Sequence, residues 1–199
     1  RSYARCSVLA LLTILIASAT GLGAEANTAH PISVTEASIF VTRTKAIVRI
    51  QMFAEDLILF QGLEPNDQDR ISPDDLKRGL ADHRVFLLER ITLRDAKGDP
   101  INGEVTDVKP FDIPPEGILS SDMMLHTATY ELEFPFEEPP EFLTIQQDMS
   151  DENFIIPSEM KLTIHQSGTA LNSTESLIPG ASTTVRFDWD QAITEDASD

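Results

Sequence analysis

Two-residue alternation of apolar and polar side chains is the main signal along this chain. Over residues 33–41, Thr35, Ala37, Ile39 and Val41 fall on one side, and Val34, Glu36, Ser38 and Phe40 on the other. The polar run Thr42-Arg43-Thr44-Lys45 reads as a turn. Residues 46–53 alternate again, with Val48, Ile50 and Met52 opposite Arg49 and Gln51. One dry face and one wet face is the pattern of an antiparallel sheet. Residues 30–57 therefore predict a hairpin onto which the rest of the chain packs.

The period then changes. Residues 54–63 read as a helical turn or a continued edge. Further on, Ser72 suits an N-cap, Pro73 the first helical position, and Asp74 and Asp75 the positive end of a helix dipole. Leu76, Leu80 and Leu87 share one helical face, so the spacing predicts a covering helix over about residues 73–88. His83 is expected at the exposed side or edge of that helix. Extended segments follow at 91–93, 104–108, 124–134, 142–146, 160–165 and 183–189. In 124–134, His126, Ala128, Tyr130, Leu132 and Phe134 take one face. In 160–165, Met160, Leu162 and Ile164 point inward and His165 falls on the polar side. In 183–189, Val185, Phe187 and Trp189 point inward. Residues 167–176 read as a polar loop. Prolines, Asn102-Gly103 and Pro179-Gly180 supply turns. The expected fold is mainly β: an antiparallel β-sandwich-like domain of about seven to nine short strands with one covering α-helix.

The two ends read differently. Arg1 and Arg5, the apolar run 8–19 and Ala24-Glu25-Ala26 have the layout of a secretory signal peptide over residues 1–26. Its apolar core is too short to span a bilayer comfortably, so no stable membrane span is expected after cleavage. The domain then covers 27–189. Residues 190–199 carry acids and no bases, and are expected to be a disordered acidic tail. The expected location is the periplasm, the cell surface or the exterior.

Charge and cysteine content narrow the chemistry. The chain has 15 Lys+Arg and 33 Asp+Glu, a net of −18. A field of that sign repels phosphate backbones and argues against nucleic acid as a partner. Cys6 lies in the signal segment, so the mature chain has no thiol for a nucleophile, a disulfide or a cysteine-ligated metal.

Candidate sites are few. His30 would chelate copper if processing made it the N-terminal residue. His126 and His165 would form a metal pair, with His30 or a carboxylate, if their strands were neighbours. Two acidic loops, residues 66–69 and 148–152, offer oxygen ligands for calcium, but neither follows the EF-hand pattern. The chain contains no G-x-S-x-G, H-E-x-x-H or phosphate loop. With Trp189 and Tyr130 expected inward, no aromatic platform for sugar stacking is apparent. These features point to a non-enzymatic binding or accessory module with no cofactor and an unidentified protein or small-ligand partner. The alternative is a metal-handling protein for copper, nickel or calcium.

His30-Pro31, Val34-Thr35-Glu36 and Phe53-Ala54-Glu55-Asp56-Leu57 carry a resemblance. They resemble a group of small exported bacterial proteins whose mature chains open H-P, then S-V-T-E, then a strand and an acidic F-x-D-D-L-like segment. The later part is more loosely similar to the extracytoplasmic domains of hydrogenase/urease accessory membrane proteins. The resemblance implies an exported β domain and supplies no activity. A second histidine beside the H-P is replaced here by Ile32-Ser33.

Overall fold

A computed structural model describes residues 33–150, 158–170 and 172–190. Residues 1–26, read above as a signal peptide, His30, the acidic stretch 151–157 and residues 191–199 of the expected tail lie outside the described residues.

The alternation seen in the sequence becomes β1 (Ser33–Val41) and β2 (Lys45–Phe53). They are followed by α1 (Glu55–Gln61), β3 (Arg70–Ile71), α2 (Pro73–Arg90), β4 (Ile91–Arg94), β5 (Pro100–Ile101) and β6 (Glu104–Lys109). Next come β7 (Ile118–Leu119), a 3₁₀ helix (Ser120–Leu125), β8 (Thr127–Pro135), β9 (Phe142–Gln147), β10 (Ser158–Gln166), β11 (Asn172–Leu177) and β12 (Ser182–Arg186). The protein is mainly β, and its strands form a six-stranded sheet β11-β10-β1-β2-β8-β6, a four-stranded sheet β12-β9-β4-β5 and the small pair β3-β7.

The β1–β2 hairpin lies at the centre of the large sheet, as the sequence predicts. One pairing departs from the antiparallel expectation. β1 and β10 run parallel, with Ile39 opposite Ile164. These strands are far apart in sequence, and local alternation carries no information about the direction of a distant neighbour.

Inward side chains of both sheets and the two helices form one core, from Ile39, Val48, Ile50 and Leu162 through Leu93 and Ile145 to Leu76 and Leu87. Polar groups within it tie layers together. The Tyr130 hydroxyl donates to Leu80 O at 3.0 Å, pinning α2 to β8. Gln147, fully buried on β9, donates to Leu177 O of β11 at 2.9 Å and accepts from Met149 N–H at 2.8 Å.

Helix α2 starts as its sequence dictates: the Ser72 hydroxyl accepts the Asp75 N–H at 3.1 Å. It continues to Arg90, where the Ile91 N–H still bonds Leu87 O before the chain enters β4. With no glycine at this end, the helix passes straight into a strand. His83 corrects the sequence reading. It is 1% exposed, because it lies on the same buried stripe as Leu76, Leu80 and Leu87.

Two strand boundaries and one expected loop also differ. The expected strand 124–134 begins only at Thr127, because 120–125 winds into the 3₁₀ helix and leaves Met124 and Leu125 exposed. The expected strand 183–189 ends at Arg186. The polar segment read as a loop contains β11, an edge strand with largely solvated side chains and therefore no apolar alternation.

Candidate functional site: the open face of the large sheet

The outward side chains of the six-stranded sheet follow from the same alternation that builds the core. They include Val34, Glu36, Ser38 and Phe40 on β1; Ile47, Arg49, Gln51 and Phe53 on β2; Thr129, Glu131 and Glu133 on β8; Lys161, Thr163 and His165 on β10; and Asn172, Thr174 and Ser176 on β11. A shallow recess of about 490 Å³ lies in this face, lined by Glu36, Ser38, Arg49, Gln51, Lys161 and Thr163 among others.

Strand register orders the lining into rows. Thr174 stands opposite Thr163, Thr163 opposite Ser38, Ser38 opposite Arg49, and Arg49 opposite Glu131. The adjacent row runs Lys161, Glu36, Gln51, Thr129. Two positions are already engaged. Arg49 Nε donates to Glu131 Oε2 at 2.8 Å, and Gln51 Nε2 donates to Thr127 Oγ1 at 3.3 Å. Among the described residues, the side chains of Ser38, Thr163, Thr174, Lys161 and Glu36 make no hydrogen bond or ion pair within the protein. Phe40 borders the row. His165 stacks on its ring at 4.7 Å, and the Arg49 guanidinium lies 5.5 Å from its centroid.

The histidines fall in three different environments. His165 is on the open face, its Nδ1 hydrogen-bonded to Asn172 Oδ1. His126 precedes β8 rather than lying within it; its half-buried ring sits 5.7 Å from Phe111. The structure does not bring these two together, since β1 and β2 separate β10 from β8. Among the described residues, no group of three His, Cys, Asp or Glu side chains is arranged to hold a metal ion. In the first acidic loop, Asn66 Oδ1 accepts from Gln68 N–H at 2.9 Å and Arg70 N–H at 3.1 Å, and Asp69 accepts the Ser120 hydroxyl at 2.6 Å. In the second, Asp148 accepts from Ser150 at 3.1 Å, and the loop then leaves the described residues.

The strongly shifted titrating groups lie in the core, away from this face. Burial drives the Asp56 carboxyl up to about 6, assisted by neighbouring Glu55 and opposed by the Ser33 hydroxyl and the Phe53 N–H, which bonds it at 3.2 Å. Burial lowers His83 to about 4; its Nδ1 lies 3.1 Å from Gln61 Nε2 and its ring packs beside Phe86 and Tyr130. Burial also raises the Tyr130 phenol. None of the three lines the recess.

Sequence reasoning placed Glu36, Ser38, Arg49 and Gln51 on a wet face but did not gather them into a site. It left Thr174 in a polar loop, because residues 172–176 are polar at every position and show no alternation that marks a strand. Neither a protein-family model nor a curated protein matches the chain.

Proposed function

We propose that this is an exported, non-enzymatic binding or accessory domain that meets its ligand on the open face of the six-stranded sheet. The observation carrying this reading is the cluster of unengaged polar side chains in the recess, on the central strands of the six-stranded sheet. Polar groups fixed on strands are already ordered, so a ligand meets little further entropic cost.

The sheet edges favour the face over the rim. β6 has a register shift between Val105 and Asp107 and carries Lys109, β5 begins with Pro100, and β11 turns Glu175 toward the inner side opposite Leu162. Bulges, prolines and inward charges are devices that discourage strand addition. The strongly shifted Asp56 and His83 lie in the core and not in a cleft, which supports a binding role over catalysis. His126 and His165 are held apart, so a metal-handling role would rest on His30 or on the acidic loop 148–152, which lie wholly or partly outside the described residues.

Two measurements test this. The intact mass of the exported protein should correspond to a start at Asn27 with no added metal. Envelope material from the host should be retained by the protein and lost with Ser38→Arg/Thr163→Arg at unchanged thermal stability. Equal retention by both forms would remove the open face as the binding surface.

A further inference from the structure

We infer that the recess is a subsite for a neutral glycan strand, recognised by hydrogen bonds and not by aromatic stacking. This inference rests on the binding role proposed above and names its ligand class.

The chemistry of the lining narrows the ligand. Thr174, Thr163 and Ser38 occupy three adjacent strands in direct register. Neighbouring strands are about 4.8 Å apart, so the three hydroxyls form a row roughly 10 Å long. Each hydroxyl both donates and accepts, Lys161 donates and Glu36 accepts. Those five side chains have no partner among the described residues, so their hydrogen-bonding capacity is turned to solvent.

Other ligand classes fit less well. A small anion needs clustered cations, but Arg49 is already held by Glu131 and the free Lys161 stands opposite Glu36. An amphipathic helix needs an apolar groove. A smaller apolar hollow lined by Val34, Met52 and Phe53 lies beside the recess, but the hydroxyl row itself is bordered by Phe40, whose ring is already packed by His165 and approached by Arg49. A peptide strand would need an open edge, and both edges of the six-stranded sheet, β6 with its bulge and β11 with inward Glu175, discourage strand addition. A chain with many uncharged hydroxyls matches an array of mixed donors and acceptors with no net local charge.

The test is titration of the full mature protein, followed by amide NMR, with hexasaccharides of glucose, mannose, N-acetylglucosamine and a uronic acid. A neutral hexasaccharide should shift Ser38, Thr163, Thr174 and Gln51 together. Thr163→Val, which keeps the β-branched shape and removes the hydroxyl, should weaken that binding at least about tenfold while leaving the melting temperature unchanged. Lys161→Met should weaken it less. Binding of the uronic acid alone, lost with Lys161→Met and unaffected by Thr163→Val, would overturn the inference in favour of simple charge pairing. If no hexasaccharide shifts these residues but envelope protein still binds through the face, the glycan assignment fails and the binding role stands. If neither binds, both fail.

Discussion

The two faces of the six-stranded sheet are built from the same residues in alternation, yet they obey different rules. Inward, Ile39, Val48, Ile50, Tyr130, Leu132 and Leu162 are fully buried against a helix and a second sheet. Outward, their immediate neighbours Ser38, Arg49, Glu131 and Thr163 meet water or each other. Burial of large side chains dominates folding free energy, so the inner face specifies the fold. The outer positions need only suit a pleated strand, which Thr and Ser can do with many other residues. Their clustering around a recess is therefore more informative about function than anything in the core.

The sharpest way to break the comparison is on its dry side. Tyr130→Ala removes a fully buried ring and the bond to Leu80 O, and should cost about 3–5 kcal/mol in urea unfolding. Tyr130→Phe should cost only about 1 kcal/mol, because it removes the hydroxyl alone.

The buried titrating pair sharpens it further. Asp56 has a raised folded pKa of about 6 against a usual 3.8, so the folded state holds its proton more tightly. Its contribution is most favourable below the lower value and declines as pH rises to the upper one. His83 has a folded pKa lowered to about 4 from 6.5. Its contribution is full above the higher value and is lost as pH falls toward the lower one. The two slopes oppose each other between about pH 4 and 6. Asp56→Asn should therefore make acid destabilisation steeper, and His83→Gln should flatten it, each by up to roughly 3 kcal/mol across the window. Urea titrations at several pH values will show this; identical pH slopes in all three proteins would contradict it.

Gly117 is a smaller case. Its φ is +79°, and an added Cβ would sit 2.2 Å from Ile71 O. Gly117→Ala should cost about 1–3 kcal/mol and loosen the β3–β7 pair, as hydrogen exchange would report.

The wet side should barely respond. Thr163→Val and Ser38→Ala should change stability by less than about 0.5 kcal/mol. Arg49→Ala should cost no more than about 1 kcal/mol, since its ion pair with Glu131 is largely solvated.

How much of this was legible in the sequence follows from range. The hairpin, α2 with its Ser72 cap, and the inward residues of β8 and β10 were readable because capping and alternation are local signals. The burial of His83 was legible as well, three residues after Leu80 and four before Leu87 on the same stripe, and was misplaced because residue type was weighed above spacing. The parallel pairing of β1 with β10 was hidden by range: it joins segments more than a hundred residues apart. β11 escaped because a polar edge strand and a polar loop share a composition. The recess depends on both of those pairings, so the sequence could give its members and not their assembly.

The most direct test of the central claim is the amine reactivity of Lys161, measured by mass spectrometry after brief acylation with and without host envelope material, using exposed Lys97 as the internal reference. Selective protection of Lys161, absent in Ser38→Arg/Thr163→Arg, is the expected result. Lys161 and Lys97 labelling equally in both conditions would contradict the assignment of the open face as the binding surface.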